Sequence, residues 1–279
     1  MPEGDTIFRA ARTLNRALAG KLVTRFETVF PHLQRVHDDV PVTGRTVEAV
    51  ESQGKWMQMK FSGDLVLTTH MLMNGSWHIY RPGERWRRRR EDMRIVVGTQ
   101  DFVAVGFTVP VAQFYTAESL ARKSGVSRVG PDVLAPEFNE AEVVERVREH
   151  QVLETGTAIL RQSILAGVGN VYKSEICFAC GVNPFRLVST LSEEELRCLV
   201  STARKFLHAN VTESSGDRIV TYTGMRRTTG RANPSERLWV YGRNHQPCRK
   251  CGTPIRSQKQ QPGARTTFWC PRCQPLEIS

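Results

Sequence analysis

Cys248-Arg249-Lys250-Cys251 and Cys270-Pro271-Arg272-Cys273 decide how the end of this chain folds, with 18 residues lying between Cys251 and Cys270. Two tight turns, each presenting a pair of thiolates, match a tetrahedral four-sulfur zinc site. One structural zinc is the expected cofactor, and the intervening segment then becomes a short pinned hairpin. That segment carries Arg256, Lys259 and Arg265 and no Asp or Glu. It is too small to hold a core of its own, so the metal would supply its stability. Two roles fit it: a basic finger that touches nucleic acid, or a ribbon that only stabilises the tail.

Working outward, the whole chain is basic. Its 279 residues hold 39 Lys plus Arg against 28 Asp plus Glu, a formal charge of +11, which points to polyanionic partners. A hydrophobic content of 40% over this length can bury real cores and suggests more than one domain. No apolar signal core opens the chain and no run reaches the length of a membrane span. The expectation is a soluble protein in a reducing compartment, with Cys177, Cys180 and Cys198 as free thiols. Cys177 and Cys180 read as small buried hydrophobes rather than as half of a metal site. The run Arg85-Trp86-Arg87-Arg88-Arg89-Arg90 fits either a solvated loop or a DNA contact.

Periodicity divides the chain. Ile7, Ala11, Leu14 and Leu18 recur at helical spacing from Asp5 to Ala19, and Gly20 supplies the stop. Strand patterns follow at Met57–Phe61, Leu65–Leu67, Trp77–Tyr80, Ile95–Val97 and Phe102–Val105. Helical signals take over with two capping boxes, Asn139 with Glu142 and Ser192 with Glu195. The expected organisation is α+β and multi-domain: a β domain over 1–117, a connecting segment over 118–138, a helical domain over 139–244 and the zinc finger over 245–279.

The chain start carries potential chemistry. In Met1-Pro2-Glu3-Gly4-Asp5-Thr6, removal of Met1 exposes a secondary α-amine next to a carboxylate. An α-amine has a reference pKa near ~8, about two units below lysine, so a useful fraction is nucleophilic at neutral pH. Condensed with an aldehyde-level sugar carbon, a secondary amine gives an iminium that has no nitrogen proton to lose. The plain alternative is a helix entry that Asp5 or Thr6 caps.

The segment Ile159-Leu160-Arg161-Gln162-Ser163-Ile164-Leu165-Ala166-Gly167-Val168-Gly169-Asn170-Val171-Tyr172-Lys173-Ser174-Glu175 joins these ends. Its glycines permit a sharp turn into a helix N-terminus where Asn170 adds a donor, which fits a phosphate seat or a simple turn between helices. With Pro2-Glu3-Gly4, the Gly242-Arg243 pair and Arg265-Thr266-Thr267-Phe268-Trp269-Cys270-Pro271, the chain resembles the endonuclease VIII and formamidopyrimidine-DNA glycosylase family from Pro2 to Gln274. The resemblance implies an N-terminal β-sandwich with a flanking helix, a helix-two-turns-helix domain and a terminal zinc-finger hairpin.

It also implies roles. Pro2 would attack C1′ of a damaged nucleotide and expel its base, and Glu3 would move protons on the opened sugar. Lys55, also readable as an ordinary strand-entry lysine, would hold a phosphate beside the lesion. Arg265 at the finger tip would grip the phosphate and support δ-elimination. Arg128, Asn170 and Arg243 fall among the family's DNA contacts. The target must be extruded from the duplex, and His70-Met71-Leu72-Met73-Asn74-Gly75-Ser76-Trp77 aligns with the family's wedge loop, with Leu72 and Met73 entering the stack. Read by periodicity alone, both fit a strand-end core equally well.

The departures from pattern concern the lesion. Endonuclease VIII has a glutamine where this chain has Leu72, and the purine-specific branch has an Arg-Phe-Gly-type insertion where Asp101–Gly106 stands. Pro2-Glu3-Gly4 tilts the expectation toward oxidised pyrimidines, with a purine-type glycosylase as the rival and a non-catalytic DNA-binding protein as the remaining alternative. The loop from Asp217 to Ala232 would separate the first two. Damaged double-stranded DNA is the expected partner, single-stranded DNA a further one, for a monomer in the bacterial cytoplasm, associated with the nucleoid.

Overall fold

A computed structural model describes residues 2–212, 227–229 and 236–276. The chain forms two compact units, one running to Arg128 and one beginning at Val129.

The first unit is a β-sandwich. Helix α1 (Gly4–Leu18) buries Ile7, Ala11, Leu14 and Leu18, as the spacing required. Asn15 on its flank accepts the backbone N–H of Val50 at 2.7 Å and so ties α1 to strand β2 (Val47–Gln53). Strands β2, β3 (Trp56–Phe61), β4 (Leu65–His70) and β8 (Val111–Tyr115) form one antiparallel sheet in that order. The other sheet runs β1 (Arg25–Thr28), β6 (Met93–Gly98), β7 (Val103–Phe107), β5 (Ser76–Tyr80), also antiparallel. The main core includes Leu14, Met57, Met59 and Phe61 together with Trp77, Ile95, Val97 and Ala104 of the second sheet. On that sheet's other face, Tyr80, Val96, Val105 and Phe107 make a smaller core covered by Trp86. The alternation of neighbours such as Ile95 and Val96 between these two cores is the period of two expected of a strand covered on both sides.

Strands β1, β2 and β8 lay outside the sequence reading, and so did two helices. Helix α2 (Pro31–Asp39) begins with Pro31 in its first turn and buries only Leu33. Helix α3 (Ala117–Lys123) occupies part of the stretch expected as a connection, held by a capping box between Thr116 and Ser119.

The second unit is helical with a terminal hairpin. Helix α4 (Glu140–Arg148) packs on α7 (Glu193–Thr212), while α5 (Thr155–Leu160) leads through a turn into α6 (Asn170–Ala179). The Ser192–Glu195 box is reciprocal, with bonds of 2.8 and 3.2 Å. The Asn139 box is half of one: Asn139 Oδ1 accepts from the N–H groups of Ala141 and Glu142, but Glu142 pairs with Arg146 at 2.9 Å instead of reaching back. Strands β9 (Arg256–Gln260) and β10 (Arg265–Trp269) form the hairpin, and β10 lies against α6.

The cysteine expectation needs one correction. Cys180, at the C-cap of α6, and Cys198, on α7, form a disulfide with Cα atoms 5.8 Å apart, and only Cys177 of the three remains a thiol. Tertiary packing of α6 on α7 creates that proximity, so spacing along the chain could not reveal it. Cys177 is buried completely, and burial pushes its thiol up to about 12, so it behaves as a small hydrophobe.

Candidate active site

Pro2 stands half-buried immediately ahead of α1. Glu3 is the N-cap residue, but it caps with its backbone: its carbonyl accepts the N–H groups of Thr6 and Ile7 at 2.9 and 3.1 Å, and its side chain makes no capping bond. Neither Asp5 nor Thr6 takes the cap position. Asp5 instead lies in the first turn, fully buried, with Arg9 at 3.3 Å. The Glu3 carboxyl is therefore held at 0% exposure beside Pro2 without being spent on starting the helix.

Lys55 follows Gly54 in the turn between β2 and β3, where Gly54 takes a positive φ of 59°. The β3–β4 register sets Trp56 opposite His70, which places this turn beside the start of the loop 71–75. The Trp56 and His70 rings meet edge to face at 4.9 Å. Burial, followed by the Lys55 ammonium, lowers the His70 pKa to about 4, so the ring is neutral at physiological pH. His70 Nδ1 accepts the N–H of Leu72 at 3.1 Å and shapes the loop. The sequence reading gave His70 no part, and only its position ahead of the wedge loop hinted at one.

Leu72 and Met73 sit on that loop with 48% and 57% exposure, whereas Met71 beside them is buried. The strand-end core reading therefore fails for both. Leu72 also adopts a φ of 44°, a left-handed conformation that costs a branched side chain of order ~1 kcal/mol or more.

In the second unit, Gly167 takes φ 100° in the turn before α6. Gln162 braces that turn, accepting from Gly167 N–H at 3.1 Å and donating to the carbonyls of Leu160 and Val168 at 2.9 and 2.8 Å. Asn170 opens α6 and donates to the Thr266 carbonyl of the hairpin at 2.8 Å; its buried Oδ1 has no partner among the described residues. Arg265 is exposed at the start of β10, and Arg128 is exposed at the end of a short 3-10 turn, Val126–Arg128, in the first unit. Arg243 is placed differently from a surface contact. It is 9% exposed, and its guanidinium serves the finger itself, donating to the carbonyls of Trp239 and Pro247 and to Gln246 Oε1.

Glu175 is a second residue to which the sequence reading gave no role. Fully buried on α6, its carboxylate accepts the backbone N–H groups of Trp239, Val240 and Tyr241 at 2.8–2.9 Å and the Thr228 hydroxyl. It thereby clamps the segment entering the finger onto α6.

The Sγ atoms of Cys248, Cys251, Cys270 and Cys273 all lie within 4.8 Å of one another. Cys248 and Cys273 are 3.9 Å apart and Cys251 and Cys270 3.5 Å. Tetrahedral zinc with Zn–S bonds near ~2.3 Å needs sulfurs about 3.8 Å apart, so the donor set fits the ion.

The chain matches the formamidopyrimidine-DNA glycosylase N-terminal domain over residues 1–108, the H2TH domain of the same glycosylase over 129–221 and the zinc finger found in FPG and IleRS over 246–276. It belongs to the formamidopyrimidine-DNA glycosylase and endonuclease VIII family. It is 40% identical to the probable endonuclease 8 2 of Streptomyces coelicolor, over 98% of this chain and 94% of that protein. It is 34% identical to the DNA-(apurinic or apyrimidinic site) lyase Nei2 of Mycolicibacterium smegmatis, over 98% and 99%. The Lactococcus lactis Fpg in complex with abasic-site DNA shares the fold with a TM-score of 0.80 at 19% identity, over 98% and 100% of the two chains.

Family membership makes the chain a DNA glycosylase with associated AP lyase activity, built from a β-sandwich, a helix-two-turns-helix domain and a zinc-finger hairpin. The alternative of a non-catalytic DNA-binding protein is set aside. Among the described residues, no helix is long and apolar enough to cross a membrane.

Proposed function

We propose that this glycosylase and lyase removes oxidised pyrimidines from double-stranded DNA through a covalent intermediate at Pro2. The observation that carries the mechanism is the pairing at the chain start: a half-buried proline, whose nitrogen becomes a secondary amine once Met1 is removed, followed by a buried carboxyl that makes no helix-capping bond. The Pro2 nitrogen lone pair forms a bond to C1′ as the glycosidic C1′–N bond breaks, and the departing base keeps that electron pair and gains a proton. The Pro2 nitrogen then gives up its own proton to the Glu3 carboxylate, which delivers it to O4′; the C1′–O4′ bond breaks, the ring opens and the nitrogen lone pair closes the C1′=N bond of an iminium. Loss of a C2′ proton then expels the 3′ phosphate, and loss of a C4′ proton expels the 5′ phosphate. The product is a one-nucleotide gap with phosphate at both ends.

Other residues position DNA in this scheme. Lys55 and Arg265 take the phosphates that bracket the lesion, Arg265 with the planar fork suited to them. Arg128 and the α6 entry at Asn170 bind flanking backbone. Arg243 acts on DNA through the finger it braces. Leu72 and Met73 enter the stack when the target leaves it, which fits their exposure. One zinc, held by Cys248, Cys251, Cys270 and Cys273, stiffens the finger that carries Arg265; the protein acts as a monomer in the cytoplasm.

The pyrimidine choice rests on Pro2-Glu3-Gly4 and on relatives named endonuclease 8. The purine reading stays in play because relatives named formamidopyrimidine-DNA glycosylase match over similar lengths. The loop 217–232, expected to separate them, lies outside the described residues except for 227–229. A lesion panel in duplex and single-stranded oligonucleotides, scored for base release and for nicking, tests the choice. Release of oxidised pyrimidines ahead of 8-oxoguanine and formamidopyrimidines supports it, and the reverse order overturns it.

A further inference from the structure

The arginine run is not a loose loop. Trp86 plugs it onto the outer core of the β1-β6-β7-β5 sheet, edge to face with Phe107 at 5.6 Å and tilted against Tyr80 at 6.4 Å. The Tyr80 hydroxyl accepts the backbone N–H of Arg87 at 3.2 Å. This fixed backbone walls a cavity of about 540 Å³ lined by Arg25, Arg81, Arg85 and the four arginines 87–90, with Glu84 as the lone acid. The Glu84 carboxylate is engaged by the Arg81 backbone N–H at 2.9 Å. Among the described residues, Arg25 pairs with Glu27 at 2.7 Å, but none of Arg81, Arg85 and the four arginines 87–90 pairs with a carboxylate, although surface arginines elsewhere do so repeatedly. So many uncompensated guanidiniums around one hollow repel one another, and the fold must hold them together against that cost.

We propose that this hollow is a second nucleic-acid site, which takes the phosphodiester backbone of a strand segment other than the damaged nucleotide. Phosphates answer the density and the forked geometry of the arginines, and they relieve the repulsion. The site is separate from the chain start. The run covers the outer face of its sheet, whereas α1 belongs to the main core on the inner face. Its effect is to hold undamaged DNA during search and to retain flanking DNA during repair. It rests on the reading of the protein as a DNA enzyme but not on the chemistry at Pro2.

The test is the salt dependence of binding by the full-length, zinc-loaded protein. Wild type and R87Q/R88Q/R89Q/R90Q are titrated with an undamaged duplex and with the same sequence single-stranded. Each lost phosphate contact lowers the slope of log K against log salt by about 0.9 for duplex and about 0.7 for single strand. The quadruple variant should lose about 2 to 4 in the duplex slope, and the milder R85Q/R88Q about half as much. Comparison of the two arms tells which form the site prefers. Unchanged slopes in both overturn the proposal. So does loss of binding to a poly-glutamate peptide without a change in either slope, which assigns the hollow to an acidic protein. Borohydride trapping at low salt is run alongside: its failure in wild type would strike the Pro2 mechanism, while the slopes still judge this site.

Discussion

Lys173 Nζ, on a side chain with no exposure at all, donates to Thr267 Oγ1 at 2.6 Å and links helix α6 to strand β10 of the finger. Gln260 extends the link. Its Oε1 lies 3.3 Å from Lys173 and accepts from Thr267 at 2.9 Å, while its Nε2 reaches Glu154 and the Pro184 carbonyl, both at 2.8 Å. A buried ammonium is tolerated only when such partners replace its water. Lys173→Met should cost about 2 kcal/mol, the range for hydrogen bonds to a charged group. The loss should appear as faster release of zinc to a chelator at unchanged stoichiometry; an unaltered release rate would show that the hairpin does not depend on this link.

The neutral His70 gives the β-sandwich a pH signature. Its folded pKa of about 4 lies below the unfolded value near ~6.5, so between these limits the unfolded chain binds the extra proton. Stability therefore rises with pH across that window and is flat above it. The full shift corresponds to an upper bound of about 3 kcal/mol, reduced by the solvent that still reaches the ring. Denaturant titrations of wild type and His70→Phe on both sides of the window should show a slope that the variant lacks.

Leu72→Ala and Met73→Ala should leave thermal stability within about 0.5 kcal/mol of wild type, because exposed side chains contribute little. Base release from duplex should fall by roughly tenfold, the equivalent of about 1.4 kcal/mol of unstacking no longer offset. A lesion in single-stranded DNA needs no wedge, so its rate should hold. Equal losses on both substrates would remove the wedge role.

Removing zinc should abolish high-affinity DNA binding and δ-elimination yet leave the sandwich folded, since every cysteine ligand belongs to the second unit. Far-UV circular dichroism that retains its β signal after chelation supports this. Loss of all structure contradicts it.

What was legible in the sequence was what depends on local pattern or fixed spacing. Helix α1 announced itself through Ile7, Ala11, Leu14 and Leu18, and the finger through its two cysteine pairs. Helix α2 was hidden because Leu33 alone carries its burial, so no apolar period could form. Glu175, Lys173 and the Cys180–Cys198 pair were illegible because their partners lie 18 to 94 residues away along the chain. The exposure of Leu72 and Met73 removed the core reading, which periodicity left even with the wedge. Arg243 shows the converse: its place beside the finger was plain, but only the folded carbonyls around it reveal that its guanidinium is occupied.

The central claim is a covalent bond from the nitrogen of Pro2 to C1′, and borohydride reduction in the presence of damaged duplex, followed by peptide mass spectrometry, tests it directly. The account predicts one reduced adduct on the N-terminal proline after loss of Met1, with trapping sharply reduced in Pro2→Gly. An adduct mapped to Lys55 or any other side chain, or undiminished trapping in Pro2→Gly, would contradict it.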